Sequence, residues 1–363
     1  MRIEIAQRLR PFTHCPGTVC LLPGSSWLVQ VFPTLLRFSN IAGSLPVIVE
    51  EVSLNVQGPV KDFTVLLDLE KGSVRVWGKT ATGFMRYRLF SSDEGKAVVI
   101  KSEKQPSQKL CWPPNIKEIN EGTFLLPLSD NAEGKIYEPP VSARLSLGNH
   151  KKQDWTLVSR RQDLREIFPA WLRLGSLVPD HRSRQKVGTA ALLEECRQTF
   201  GQPELIAASF EKLFLAGFYS LLAPRLLDDD HQGLCRDDVT PDTDCSPLVL
   251  CKQGAQLIND LFVRTDEDSI SVLPALPPQF HCGRFLDFQC GQWGKLNLEW
   301  SKKQTRRMMI ISESDGEVHL LFQKKLKSFR LRRNNKDKGT VIRCGSPIQL
   351  ARGQSYLLDR FQK

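Results

Sequence analysis

Apolar and polar residues alternate at period two through much of the first hundred positions, the spacing of strands with one buried face. Residues 73–77 carry this pattern cleanly, 27–32, 47–52, 62–69, 84–90 and 97–101 are further short strand runs, and Glu70, Lys71 and Gly72 supply a turn between two of them. Short strands repeated at this spacing predict a β-sandwich over residues 1–150, in which the Pro-rich, polar stretch 104–140 is mostly loop. From residue 151 the apolar positions fall at helical spacing. Residues 161–168 read as a short amphipathic turn ended by Pro169, and 189–197 as a helix. Pro203 opens a longer helix over 204–223, which Pro224 stops. Its apolar arc of Leu205, Phe210, Leu213, Phe214, Phe218 and Leu221 is wide. That width predicts burial on more than one side and the most buried element of its segment. A final helix covers Gly254 to Phe262, and a strand from Asp268 ends at Pro274. Alternation then returns at 294–300, and 308–311, 318–322, 329–331, 341–343 and 356–358 supply further strands.

The predicted fold class is therefore multi-domain β plus α. An N-terminal β-sandwich (1–150) and a C-terminal β-sandwich (268–363) flank a short helical segment (151–267) that packs between them. A length of 363 residues supports that many cores. No run of roughly 18 apolar residues occurs, so no membrane span is expected. The first ten residues carry charges and no apolar stretch, which is unlike a signal peptide and predicts a cytoplasmic protein.

Charge changes the picture more than composition does. The net charge is +10, and residues 302–338 hold twelve Lys/Arg against four Asp/Glu. Leu320, Phe322, Leu326, Phe329 and Leu331 interleave with these cations, as strands with one wet side require. This places Lys324, Lys325, Arg330 and Arg332 on solvated positions and predicts only weak, non-specific attraction for polyanions. The ten cysteines show neither a CxxC pair nor a Cys/His zinc spacing, which suits reduced thiols. Asp228, Asp229, Asp230 and His231 are consecutive, where a calcium loop would alternate its ligands, so a solvated loop is expected. His14 and Cys15 are sequence neighbours, which rarely gives a nucleophile and its base the required geometry. Phosphate-loop, dinucleotide and nucleophile-elbow motifs do not occur, and no cofactor or metal is predicted.

The order of several motifs resembles the glycoside hydrolases of family 95 type, the α-L-fucosidases and α-L-galactosidases. In the first block these are Leu67, Asp68 and Leu69, then Val74 and Val76, then Tyr87 to Asp93, then Val98 to Ile100. In the middle they are Asp163 to Phe168, Gln202 and Pro203, and Gln232 to Leu234. The most specific are Leu273, Pro274, Ala275, Leu276 and Pro277, followed by Leu298, Glu299 and Trp300. The resemblance implies an (α/α)₆ catalytic barrel between the sandwiches. Most of it has no counterpart, since about twenty residues separate Leu234 from Gly254. The family's general acid lies in the missing part. Ungapped alignment places Val249 where its base-like aspartate belongs, and a short gap brings Asp244 or Asp242 there. The family's next two residues, Gly-Asn, are replaced by Cys245, Ser246 and Pro247.

The implied function is a glycosidase-like protein without its catalytic core, serving as a carbohydrate- or protein-binding scaffold module. One alternative is an active hydrolase of α-fucosides or α-galactosides that uses Asp242 and Asp244. The other is polyanion or nucleic-acid binding through the basic C-terminal block. The hydrolase needs two carboxyls about 5–10 Å apart. Polyanion binding would weaken steeply with salt.

Overall fold

Alternation in the first hundred residues becomes two facing sheets in the computed structural model, which describes residues 3–181, 187–228, 233–235, 245–323, 325–334 and 336–363. Elements are numbered along the chain. The larger N-terminal sheet has the order β1 (Phe12–Thr13), β6 (Lys61–Asp68), β7 (Ser73–Thr80), β8 (Gly83–Ser91), β9 (Ala97–Lys104), β11 (Thr123–Pro127) and β10 (Lys117–Asn120). The smaller runs β2 (Thr18–Leu21), β3 (Trp27–Val31), β4 (Leu35–Asn40) and β5 (Val47–Ser53). Val29, Val31, Leu36 and Phe38 of the small sheet share one core with Val65, Leu67, Val74, Val76 and Leu89 of the large one.

The C-terminal sandwich repeats the arrangement. Its larger sheet has the order β12 (Arg144–Ser146), β17 (Cys282–Gln289), β18 (Lys295–Ser301), β19 (Gln304–Ile311), β24 (Ser355–Gln362), β21 (Ser328–Arg332) and β22 (Thr340–Arg343). The smaller is β15 (Val263–Thr265), β16 (Ser269–Val272), β20 (Gly316–Leu321) and β23 (Pro347–Leu350), with β16 and β20 parallel. Strand β12 belongs to the first sequence block but hydrogen-bonds to β17 in the third. In the basic stretch Leu320, Leu326 and Phe329 are buried, and Phe322 packs its ring on Phe329 and Phe361. Arg330 and Arg332 are not simply solvated as expected, because both engage Asp359 of the neighbouring β24. Lys324 lies outside the described residues.

Among the described residues five helices join the sandwiches: α1 (Trp155–Arg161), α2 (Leu164–Gly175), α3 (Ala191–Gln198), α4 (Pro203–Gly217) and α5 (Leu248–Phe262). Three expectations are corrected. First, Pro169 does not end a turn but sits inside α2. Asp163 caps that helix by accepting from the Arg165 N–H, and Pro169 forgoes only the bond to the carbonyl four residues back. Second, α4 ends at Gly217 and not near Ala223. Arg225 takes over its last carbonyls, donating its N–H to Gly217 and its Nε to Ala216, both at 2.9 Å. The freed chain then forms a short hairpin of β13 (Phe218–Tyr219) and β14 (Ala223–Pro224). Third, α4 is not the most buried helix. Ten of the twelve residues of α2 are buried, against seven of the fifteen in α4. The reason is position, since α2 packs on α5 and on β12.

That packing depends on two small residues. A Cβ on Gly175 would sit 2.4 Å from the Ala255 Cβ, and one on Gly254 would sit 2.4 Å from the Trp171 ring. The helices approach closely enough for Trp171 Nε1 to donate to the Leu250 carbonyl at 3.1 Å. Phe168, Phe210 and Phe218 surround that indole, and Phe168 reaches Phe280 of the C-terminal block at 5.4 Å. On the opposite side the layer holds the N-terminal sandwich through main-chain bonds from Leu221 to Val19 and from Gly24 to Leu177. Ser246 adds a hydroxyl bond to the Ile41 carbonyl at 2.6 Å. Arg173 is buried at this junction and donates to the carbonyls of Leu69 and Pro140. The helical segment thus packs against both sandwiches.

Candidate functional site

Where α2 and α5 meet the C-terminal sheet, an open cleft of about 420 Å³ forms. That is a usual size for a small-molecule site, about 300–1,000 Å³. One wall is helical, from Leu172 and Ser176 at the end of α2 to Lys252, Gln256 and Asn259 on α5. The facing wall is Asp287, Phe288 and Gln289 of β17 with Lys295 of β18, and the linker residues Val141, Ser142 and Ala143 close one end.

The positions of these side chains follow from local structure. Gln256 and Asn259 are three apart on α5 and so share a face. A bulge interrupts the β17–β18 register between Phe285 and Phe288, and Asp287 within it has a left-handed φ of 53°. Aspartate tolerates that region better than most residues, and a bulge re-aims the side chain it carries. The Asp287 N–H is secured by the Asn297 amide oxygen at 2.7 Å. Ser142 and Ser176 share a hydroxyl contact at 2.9 Å, and Arg173 donates to Ser142 from below.

Polar satisfaction in the cleft is uneven. Lys252 pairs with Asp180 at 2.8 Å, and Gln256 donates to Asp260 at 3.1 Å. Burial raises the Asp260 carboxyl above its ordinary range, against the pull of the Gln256 hydrogen bond and the charges of Arg264 and Arg197. Asn259 Oδ1 is buried and accepts no hydrogen bond within the protein. An unsatisfied buried acceptor costs about 1–3 kcal/mol.

A second cleft, of about 360 Å³, lies along β17 and β18 and is lined by His150, Cys282, Arg284, Glu299, Ser301 and Arg306 among others. Its one carboxylate, Glu299, lies between Arg307 and Arg284. The hydrogen bond from Arg307, above all, holds Glu299 below the usual carboxylate range. A carboxylate paired to two guanidinium groups and held below its usual range is a structural ion pair and a poor proton donor. The first cleft is likewise lined by one carboxylate, Asp287.

The residues singled out from sequence are dispersed. Asp242 and Asp244 lie outside the described residues, as do Asp229, Asp230 and His231. Val249 is buried in the first turn of α5. Asp228 is buried 3.4 Å from Arg225, so it is part of the cap on α4 and not a solvated loop acid. His14 turns its Nδ1 to the Thr64 hydroxyl at 2.9 Å, while the Cys15 thiol lies 3.9 Å from Thr156. Cys20, Cys196, Cys251 and Cys290 are buried, and burial pushes Cys196 and Cys290 up to about 12, which keeps them protonated thiols. Among the described residues no three His, Cys, Asp or Glu side chains gather as a metal site, and no helix is long and apolar enough to cross a membrane. The cleft residues Gln256, Asn259 and Asp287 were missed. The one available signal was the adjacent apolar pair Phe285 and Leu286, which breaks the alternation at the bulge. Compared with models of known protein families the chain matches none, and no curated protein is recognisably similar to it.

Proposed function

We propose that the protein is a non-catalytic binding module that seats a neutral, hydroxyl-rich ligand, a glycan, in the cleft between the α2–α5 pair and the β17 bulge. The observation that carries this reading is the buried, unpartnered Asn259 Oδ1 in a wall that also offers Gln256, Gln289, Ser142 and Ser176. Sugar hydroxyls donate and accept at once, and amides and hydroxyls answer them in both senses. Phe288 and Leu172 supply apolar surface for the C–H face of a sugar ring. Asp287 is a single carboxylate in this lining, suited to hold a hydroxyl pair, whereas hydrolysis of a glycoside takes two carboxyls.

The glycan class draws further support from the ordered motifs that resemble family 95-type glycosidases. In the same proposal the helical layer is what remains of that family's barrel. The test is equilibrium binding of methyl α-L-fucoside and methyl α-galactoside, with sugar release from the aryl glycosides assayed in parallel. The expected result is saturable binding that Asn259→Leu abolishes, with no release of sugar. Turnover that is lost in Asp244→Asn or Asp242→Asn would promote the hydrolase reading. Absence of binding to any glycoside would remove the glycan reading.

A further inference from the structure

The basic C-terminal block is largely self-neutralised where it is ordered into strands. Arg330 and Arg332 pair with Asp359, and Arg307 with Glu299. A second concentration of charge lies on the outer face of the N-terminal seven-stranded sheet. Val74, Val76, Met85, Tyr87 and Leu89 of β7 and β8 point into the core, so Arg75, Trp77, Lys79, Phe84, Arg86 and Phe90 lie on the other face, which also carries Arg88, itself buried beneath its neighbours.

Cross-strand register fixes how these residues meet. Arg75 of β7 lies opposite Arg88 of β8, which lies opposite Lys101 of β9. In the next row Trp77 faces Arg86, which faces Lys104. Partners in a row are about 4.5–5.5 Å apart at Cβ, and like charges placed directly opposite destabilise a sheet. Five cations therefore occupy two adjacent rows. Glu103 answers Arg75 at 2.6 Å, Arg86 at 2.8 Å and Arg88 at 2.6 Å, and the buried Asp68 adds a longer-range pull on Arg88. Burial, and then the neighbouring Arg75, make the Arg88 proton easier to lose than usual. Lys101 and Lys104 are exposed, with their ammonium groups over the Phe90 and Phe84 rings at 5.7 and 5.5 Å. Trp77, half-buried at the row's end, offers a flat ring beside the cations.

Such crowding costs stability in the isolated protein and is relieved by a polyanion. We propose that this sheet face binds single-stranded nucleic acid, with phosphates along the Arg75–Arg88–Lys101 and Arg86–Lys104 rows and a base stacked on Trp77. The rings interleaved with the cations favour nucleic acid over a sulfated glycan, because stacking on a flat aromatic platform suits every base. The binding would be sequence-tolerant, since nothing on the face reads base edges beyond stacking. It is independent of the glycan cleft, whose lining includes no residue of β7, β8 or β9.

The experiment is fluorescence anisotropy with labelled oligo-dT and oligo-U between 50 and 200 mM salt, with a heparin-type oligosaccharide as comparison. Single-strand binding should weaken with salt at a log–log slope of about −0.7 per phosphate engaged. The double variant Lys101→Gln/Lys104→Gln should make that slope shallower by about 1.4. Trp77→Ala should weaken binding roughly ten-fold. Lys302→Gln/Lys303→Gln should change neither. Arg86→Gln serves as a second rim variant, and each variant's unfolding midpoint is checked beforehand. No oligonucleotide binding at low salt would overturn the proposal. So would a slope unmoved by the β9 lysines but moved by Lys302 and Lys303, or binding confined to the sulfated sugar.

Discussion

At the scale of single residues, two carboxylates titrate in opposite senses. Asp359, bonded first to Arg330, is held below its ordinary range. A depressed carboxyl adds stability above the unfolded value of about 3.9, and that stability is lost as pH falls through the folded value. Asp359→Asn should therefore be less stable than the parent at pH 7, with the gap closing below about pH 4. Asp260 is raised, mainly by burial. A raised carboxyl favours the fold below the unfolded value and loses that contribution as pH climbs through the folded one. Asp260→Asn should thus be more stable than the parent at pH 7, and the gain should fade in acid. Unfolding midpoints between pH 3 and 8 check both signs. Phe214, which is 4% exposed among Trp155, Trp171 and Phe218, should cost about 3–5 kcal/mol when cut to Ala, measured by denaturant unfolding.

At the scale of elements, the α2–α5 crossing is the joint of the molecule. Replacing Gly by Ala inside an exposed helix gains up to about 1 kcal/mol. At Gly254 the sign should reverse, because the new Cβ meets the buried Trp171 ring and the indole is tethered to Leu250. Gly254→Ala should destabilise by about 1–3 kcal/mol, and a stabilised variant would show that α5 can slide. This joint also illustrates what sequence can and cannot tell. The strand at 73–80 was legible because alternating burial imprints its period on one short stretch. The end of α4 was not. The apolar run continues through Phe218, Leu221 and Leu222, and the stop comes from Arg225, which folds back on the last carbonyls. Likewise the allegiance of β12 is set by Leu145 pairing with Phe285, a contact no local pattern records.

At the scale of the whole molecule, the helical layer builds the site by bringing distant segments together. The cleft draws on the linker at Ser142, on α2, on α5 and on the β17 bulge, so its chemistry is dispersed in sequence. Charge pointed to the basic tail and the family resemblance to the loop aspartates; the fold places polar groups around Asn259 and cations on β7–β9. The two-sandwich architecture was readable from the return of strand patterns after Asp268, whereas the cleft comes from the packing of α2 on α5 and a bulge in β17. The account's central claim is that this cleft holds a sugar without cleaving it. Its most direct test is an amide-resolved NMR titration with methyl α-L-fucoside, with product monitored in the same tube. The account predicts shifts confined to Ser142, Gln256, Asn259 and residues 287–289, and unchanged ligand after prolonged incubation. Shifts that bypass this cleft, or the appearance of free fucose, would contradict it.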